Sequence, residues 1–329
     1  MHSKTKYAVS TAQVSALFAA AGLGEVTEIA PLADGWYNNV LAVTAGGKKY
    51  VLKIAPLPEV PVLTHERELM RQELRFYALL RERTNVRAPR ILHEDLTGKL
   101  IPCDWYIMDF LPGQRLDKAK LSPEEQAGVD EAIAGIYAQF HAIEGKGYGY
   151  EQIGLEPNWH LALRKMTRAL ADDCARFGKR CPLGEKLLGY IERHRALLEE
   201  APCVLVHYDL NAKNIFYQLG EDGGAQLTVI DPERWFWGDP LGDYFMPEFM
   251  TAPEKKKFLE TYNRHTAAPL TMDRGEQIRY WLIVAYLAVT MHTEKYSRYR
   301  PWNTVWWMDV VGTVTFGHMA FSALKRLSR

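Results

Sequence analysis

One segment constrains this chain more than any other: a short β-rich island at residues 204–230 within a mostly helical sequence. Two β-type runs, 215–219 (IFYQL) and 226–230 (QLTVI), are joined by the glycine- and aspartate-rich turn 220–224 (GEDGG). Two such runs around such a turn predict an antiparallel hairpin. A hairpin returns the chain to its starting point, so the residues just before and just after it are expected to lie side by side.

Three oxygen-bearing side chains flank this hairpin. Asn214 precedes the first strand, Asp231 follows the second, and Asp209 lies in the loop that enters the hairpin. Magnesium takes oxygen ligands, which suits Asn214 and Asp231. A further carboxylate, Asp209, can orient a hydroxyl and accept its proton, as phosphoryl transfer requires. Asn and Asp also cap ordinary turns, but turn capping does not explain three of them at one end of one hairpin.

Composition excludes several classes of protein. The 329 residues are 47% hydrophobic and 24% charged with a formal net charge of zero, which is ordinary for a globular protein of about two domains. Basic residues are scattered, so no nucleic acid partner is expected. The longest apolar run, Trp281–Met291, is too short to span a bilayer, so no membrane partner is expected either.

The N-terminus and the cysteines indicate a cytoplasmic protein. The apolar stretch near the N-terminus is interrupted by polar residues and suits a helix capped at Ser10 or Thr11 better than a signal peptide. The four cysteines lack the spacing of a zinc site, and we expect free thiols in a reducing cytosol. Cys174 and Cys181 are close enough in sequence to meet, and the sequence leaves that open.

Strand signals dominate the first hundred residues. The runs Val40–Thr44 and Lys49–Ile54 around a Gly-Gly turn predict a second hairpin. Residues His65–Arg83 have the periodicity of an amphipathic helix, and Trp105–Leu111 is typical of a buried strand. Beyond the Pro112-Gly113 break, the predicted helices cover Ser122–Glu144, Trp159–Phe177, Leu183–Leu198, Pro253–His265, Arg274–Tyr296 and Trp302–Leu327.

The hairpin segment also resembles a known family. H-Y-D-L-N-A-K-N (207–214) followed by I-D-P-E (230–233) is similar to the signatures of the aminoglycoside phosphotransferase and choline kinase superfamily, small-molecule relatives of the protein kinases. The resemblance covers most of the chain. It implies an α+β, bilobal protein-kinase-like fold, with a smaller N-terminal antiparallel-sheet lobe (1–111) and a larger, mostly helical C-terminal lobe (112–329). It also implies ATP or GTP as phosphate donor, with Mg²⁺.

The resemblance assigns the nucleotide-binding residues. Lys53 in V-L-K-I matches the strand lysine that contacts the α- and β-phosphates, and Glu73 matches its ion-pair partner, with Glu66 and Glu68 as alternatives. Backbone groups near Asp109 and Leu111 are expected to hold the base. The phosphate-covering loop falls at residues 34–39, which lack a G-x-G-x-x-G pattern.

Other matches concern the catalytic loop and the substrate. His207 is expected to brace the loop, as is Asp243 in the segment Gly238–Tyr244, and Tyr208 stands where the family usually has glycine. Acidic residues are expected to bind a cationic substrate; the candidates are Glu233 and Asp239, together with Asp172, Asp173 and Glu248.

The sequence leaves the substrate open. An aminoglycoside-type or related antibiotic is favoured by the match, and methylthioribose, fructosamine or choline is the alternative. A catalytically silent pseudokinase is a further alternative, which the intact Asp209, Asn214, Asp231 and Lys53 disfavour. The partners are therefore a nucleoside triphosphate and a small molecule with a hydroxyl, and the protein is expected to be a monomer or homodimer.

Overall fold

The computed structural model describes residues 5–32, 37–221, 223–243, 252–297 and 303–329. The chain forms two compact units: Met1–Val62 with Ala88–Pro112, and Leu63–Arg87 with Gly113–Arg329. The units differ from the expected division after residue 111, because residues 63–87 belong to the second. Some predicted features fall outside the described residues: positions 34–36 of the phosphate-covering loop, Tyr244, Glu248 and Trp302.

The first unit is built on an antiparallel sheet of strand order β1-β2-β3-β5-β4, with one helix before it. The elements are α1 (Thr11–Ala20), β1 (Val26–Pro31), β2 (Asn39–Ala45), β3 (Lys48–Ile54), β4 (Ile91–Asp95) and β5 (Trp105–Asp109). The helix begins as predicted: the Ser10 hydroxyl accepts a hydrogen bond from the Gln13 backbone amide, and the Gln13 side-chain oxygen accepts one from the Ser10 backbone amide. The core of the unit includes Leu17, Leu52 and Trp105, all fully buried.

The predicted hairpin in the first unit is present as β2 and β3. Its register pairs Asn39 with Ile54 and Ala45 with Lys48. Gly46 and Gly47 form the turn with φ of 52° and 76°. Two consecutive positive φ angles are typical of the tight turn that matches strand twist, and glycine adopts them without steric cost.

The second unit is mainly helical, with small pieces of sheet. Its helices are α2 (Leu69–Arg83), α3 (Pro123–His141), α4 (Trp159–Arg176), α5 (Pro182–Arg193), α6 (Arg195–Glu199), α7 (Ala252–His265), α8 (Arg274–Ser297) and α9 (Thr304–Leu327). Its strands are β6 (Gln114–Arg115), β7 (Val204–Val206), β8 (Ile215–Leu219), β9 (Ala225–Val229) and β10 (Phe236–Gly238). The predicted α+β class, with an antiparallel sheet in the N-terminal region and helices in the C-terminal region, is confirmed.

Helix α2 differs from its prediction at the N-terminal end. It begins at Leu69 rather than His65, because Glu68 has a left-handed backbone with φ of 57° that interrupts the helical path. Its buried face explains why it belongs to the second unit: the Phe76 ring lies 5.4 Å from both the Phe140 and the His207 ring.

The predicted helix Leu183–Leu198 is also divided. At His194 the backbone departs from helical geometry, with φ of −108° and ψ of 26°, and separates α5 from α6. No Gly or Pro lies at this position, so the pattern of apolar residues gave no sign of the break.

The predicted catalytic-loop hairpin is present as β8 and β9. Ile215 pairs with Val229 and Leu219 with Ala225. Beyond the ladder, the Ile230 amide donates to the Asn214 carbonyl at 2.9 Å, so the ends of the hairpin meet as expected. None of the described helices is long and apolar enough to cross a membrane.

The chain turns tightly into β6 at Gly113. This residue has φ of 85°, and a Cβ atom there would collide with the Tyr217 carbonyl on β8. We predict that Gly113→Ala lowers the free energy of unfolding by about 2–4 kcal/mol, through backbone strain and displacement of the strand. Denaturant unfolding measures this change.

The matched control is Gly189→Ala, on the exposed face of α5, where an added Cβ meets nothing within 4 Å. This variant should be stabilised by up to about 1 kcal/mol, since alanine favours helix. Equal stabilities for the two variants would contradict the assigned strain at Gly113.

Candidate active site

The loop that enters the hairpin is held by one buried carboxylate. Asp243 accepts hydrogen bonds from the backbone amides of His207 at 3.0 Å and Tyr208 at 2.6 Å. Its Oδ2 atom also lies 3.2 Å from His141 Nε2. Only 2% of Asp243 is exposed, so these bonds form away from competing water. These bonds fix the backbone at the start of the loop.

Tyr208 has an unusual backbone for a bulky residue, with φ of 66°. Glycine adopts this conformation freely, which gives a physical reason for the glycine usual at this position in the family. The strain costs on the order of 1–3 kcal/mol. Burial of the ring offsets it: Tyr208 is 2% exposed, and its ring lies 5.1 Å from Phe236 and 6.1 Å from Tyr286.

His207 lies fully buried between aromatic rings. Phe140 stacks on it at 6.0 Å, and its Nδ1 accepts the Asp209 amide proton at 3.3 Å. Burial lowers the pKa of His207 to about 4, against opposing attraction from Asp243 and Asp231. The imidazole is therefore neutral at pH 7 and positions the loop without titrating.

Asp209 and Asn214 lie together, as predicted. The Asn214 amide nitrogen donates to the Asp209 carbonyl at 2.8 Å and contacts its Oδ2 at 3.4 Å. The amide nitrogen of Asn211 donates to Asp209 Oδ1 at 2.9 Å. Because these contacts of Asn214 use its nitrogen, its Oδ1 is the atom suited to a metal ion.

Two residues that sequence reasoning missed control the charge at Asp209. Arg234 Nε lies 3.9 Å from Asp209 Oδ2, and the same guanidinium forms a 2.8 Å ion pair with the buried Glu294 on α8. Burial raises the pKa of Asp209, the Arg234 charge lowers it, and Asp231 raises it. Arg234 directly follows the I-D-P-E motif in the sequence, and this position could have indicated a role in the site. Its ion pair with Glu294 could not be predicted from the sequence.

Asp231 lies in a group of carboxylates. One oxygen each of Glu73, Asp231 and Glu233 lies within 4.8 Å of the other two. The Asp231 amide donates to the Tyr77 hydroxyl at 3.1 Å, and that hydroxyl donates to Glu73 at 3.1 Å. Glu73 and Tyr77 are four residues apart on α2, so this helix fixes the Asp231 backbone at its strained φ of 58°.

This donor set fits a hard divalent cation. Oxygen atoms are the ligands Mg²⁺ prefers, and like-charged carboxylates held within 4.8 Å repel each other unless a cation is shared. Glu233, predicted as a substrate contact, instead lies with the residues suited to metal binding.

Among the described residues, two other acidic candidates, Asp173 and Asp239, have partners elsewhere in the second unit. Asp239 is fully buried, pairs with Arg279 at 2.7 Å and accepts the Leu241 amide. Asp173 is fully buried as well, and accepts hydrogen bonds from the amide and hydroxyl of Thr64 at 2.7 Å. Both carboxylates therefore stabilise the second unit through buried hydrogen bonds, and Asp239 also through its ion pair with Arg279.

Two of the predicted nucleotide residues of the first unit, Lys53 and Asp109, lie on its sheet. Lys53 is 5% exposed on β3, paired with Val40 on β2 and Tyr106 on β5. On β5, Asp109 exchanges backbone and side-chain hydrogen bonds with the backbone of Arg90. The Asp109 amide is thus committed to the sheet, while Leu111 follows two residues after the strand ends.

The family of the chain follows from its similarity to known proteins. A sequence model of the phosphotransferase enzyme family matches residues 28–277. The chain belongs to this family. It is therefore a small-molecule phosphotransferase that acts on a hydroxyl group. No curated protein sequence matches the chain.

Solved structures share the fold at low sequence identity. A proposed aminoglycoside phosphotransferase from Ralstonia eutropha superposes with a TM-score of 0.69 at 16% identity, covering 96% of this chain and 98% of the other. A proposed fructosamine-3-kinase from Thermobifida fusca gives 0.66 at 18%, covering 96% and 100%. The ternary complex of APH(2″)-IIa with streptomycin and ATP gives 0.59 at 16%, covering 95% and 99%. The predicted protein-kinase-like fold is confirmed.

The neutral His207 makes stability depend on pH. The folded-state pKa of His207, about 4, lies below the value of 6.5 for an exposed histidine. Below pH 6.5 the unfolded chain therefore binds a proton that the folded chain does not, and the free energy of unfolding decreases as the pH falls toward 4. We predict that the free energy of unfolding decreases by up to about 3 kcal/mol over this window. In His207→Gln, that part of the decrease should vanish.

Denaturant unfolding between pH 7 and pH 4.5 measures the effect. His318→Gln, on the exposed face of α9, is the matched control and should keep the parent slope. If His207→Gln also keeps it, His207 is not the buried neutral group.

Proposed function

We propose that the protein transfers the γ-phosphoryl group of ATP or GTP, with Mg²⁺, to a hydroxyl of an aminoglycoside-type or related antibiotic. The observation that carries the proposal is the grouping of Asp209, Asn214 and Asp231 around one end of the hairpin. We also propose a cytoplasmic location, where triphosphates are available and thiols stay reduced.

Each residue has a defined task in this proposal. Asp209 orients the acceptor hydroxyl and takes its proton at a carboxylate oxygen. Asn214 Oδ1 and the Asp231 carboxylate hold Mg²⁺, with Glu233 beside Asp231. When bound, the metal neutralises charge on the transferring phosphate.

The remaining assignments rest on the family match. Lys53 contacts the α- and β-phosphates, Glu73 supports the phosphate site, and backbone groups at Asp109 and Leu111 bind the base. His207 and Asp243 keep the loop in position. The reaction needs positioning and charge neutralisation, with no covalent intermediate.

A metabolite kinase is the second candidate. A proposed fructosamine-3-kinase and a proposed aminoglycoside phosphotransferase superpose on this chain to a similar extent, with TM-scores of 0.66 and 0.69. Fold likeness does not fix a substrate. A panel of aminoglycosides, methylthioribose, fructosamines and choline, tested with ATP and GTP and with mass detection of the phosphorylated product, separates the candidates. Nucleotide binding without any product would favour the pseudokinase alternative.

Asp209 is the residue whose replacement tests the mechanism. We predict that Asp209→Asn lowers kcat for phosphate transfer by about 10²–10⁴-fold while nucleotide affinity stays near the parent value, because only proton acceptance is removed. Asp130→Asn is the control, since this carboxylate on α3 bonds to Gln126 and Lys257 instead. Turnover that survived in Asp209→Asn would remove Asp209 from the role of base.

Arg234 should determine the pH below which the enzyme loses activity. Its charge lowers the pKa of Asp209, so its removal raises that pKa and less base is ionised at low pH. We predict that in Arg234→Gln the acidic limb of the kcat/KM profile moves to higher pH.

The conservative Arg234→Lys should restore much of the parent profile, because it keeps the charge. Arg195→Gln, whose partner is Glu199 on α6, should leave the profile unchanged. An acidic limb that does not move in Arg234→Gln would show that Arg234 does not control the ionisation of Asp209.

A further inference from the structure

Three side chains with soft or borderline donor atoms meet away from the phosphotransfer residues. Cys174 lies in the last turn of α4, Cys181 caps the start of α5, and His292 lies on α8. One ligand atom from each lies within 4.8 Å of the other two. These three residues form the Cys-Cys-His cluster. All four cysteines are free thiols in the structure.

The spacing of the cluster suits a single metal ion. Zinc binds thiolate sulfur at about 2.3 Å and imidazole nitrogen at about 2.0–2.1 Å in a tetrahedral arrangement. Ligand atoms of one such ion are separated by about 3–4 Å, so small side-chain rotations would close the cluster around it. Cys174 and Cys181 are 0% and 5% exposed, which shields the ligands from competing water.

The surroundings of His292 resemble those of a ligating histidine. Its Nε2 lies 3.2 Å from the Arg180 carbonyl, and donation to that carbonyl leaves the Nδ1 lone pair directed elsewhere. A ligating histidine usually donates its second ring nitrogen to a carbonyl or carboxylate, which fixes the tautomer. Thr293 Oγ1 donates to the Val289 carbonyl at 2.9 Å and lies 3.4 Å from Cys174 Sγ, so α8 also packs against this thiol.

A cation already lies beside the cluster. The Lys295 ammonium is 3.2 Å from His292 Nδ1, and the two cysteines act on it electrostatically. Lys295 is half-buried, so its long side chain can turn to solvent when a metal ion takes its place. The charges also balance, because two thiolates neutralise a divalent cation.

We propose that Cys174, Cys181 and His292 bind Zn²⁺ and so tie the end of α4, the start of α5 and α8 together. On binding, the two thiols release their protons to solvent and two sulfur–zinc bonds form, while His292 donates its Nδ1 lone pair. The fourth position is open to water. This site is chemically distinct from the carboxylate group of Glu73, Asp231 and Glu233, whose donors are oxygen.

Cobalt titration of the full-length chain tests the site directly. Protein that has been stripped of metal and reduced with a phosphine is titrated with Co²⁺ in the absence of nucleotide. We expect one equivalent to give a near-ultraviolet sulfur-to-cobalt charge-transfer band, which one equivalent of Zn²⁺ removes. Cobalt bound by the carboxylate group gives no such band. Absence of the band from the folded parent chain overturns the proposal.

Variants then identify the ligands. Cys174→Ser and Cys181→Ser should each lower the intensity of the charge-transfer band and weaken Co²⁺ affinity, and the double variant should lose the band. Cys203→Ser, whose sulfur contacts the Gly147 carbonyl, is the control and should keep the full band. If a cysteine variant does not fold, His292→Gln at the half-buried ligand provides the test, because loss of the nitrogen ligand should weaken Co²⁺ affinity and change the visible ligand-field spectrum while the sulfur band remains.

Two results would count against the metal site. A charge-transfer band that persists at full intensity in the folded double variant Cys174→Ser/Cys181→Ser would place the metal elsewhere. Loss of both thiols in the parent on exposure to glutathione disulfide, with Zn²⁺ giving no protection, would make the pair a disulfide-forming one instead. Protection of two thiols by one equivalent of Zn²⁺ supports the proposal, whatever substrate the phosphotransferase uses.

Discussion

The candidate site depends on one interaction, the paired hydrogen bonds from the His207 and Tyr208 amides to the buried Asp243 carboxylate. Charge-assisted bonds of this kind are among the strongest available to a folded chain. They hold Tyr208 in a left-handed conformation that its bulk disfavours. The loop then leaves Tyr208 in the direction that brings Asp209 to Asn214. Without these two hydrogen bonds, the backbone before Asp209 would not be fixed, and neither would the contact of Asp209 with Asn214.

A second set of contacts fixes the other end of the hairpin. The Tyr77 hydroxyl accepts the Asp231 amide and donates to Glu73, so α2 supports the strained residue that follows β9. Asp209 and Asp231 therefore have different main supports, Asp243 for the first and α2 for the second. Rigid support from two sides is what a reaction based on positioning requires.

The sequence predicted local features well, because local signals encode them. Glycines at the β2–β3 turn and Ser10 before α1 act within a few residues, and both predictions are confirmed. The start of α2 was predicted wrongly. The left-handed backbone at Glu68 interrupts the helix, and no glycine or proline at that position indicates it in the sequence. The ion pair of Arg234 and Glu294 joins residues 60 positions apart in the sequence. The periodicity of apolar residues cannot predict a contact at this separation. Likewise, the pattern of Asp209, Asn214 and Asp231 was visible, but which carboxylates surround Asp231 required tertiary structure.

Three consecutive residues of α8 serve two different regions of the second unit. His292 and Thr293 contact the cysteine region, and Glu294 holds Arg234 next to Asp209. Successive residues of a helix point about 100° apart, so a single turn presents side chains to both regions. Rotating or sliding this turn to suit one region would disturb the other. Directed evolution toward a new acceptor molecule would thus find this part of α8 among the least adjustable in the protein.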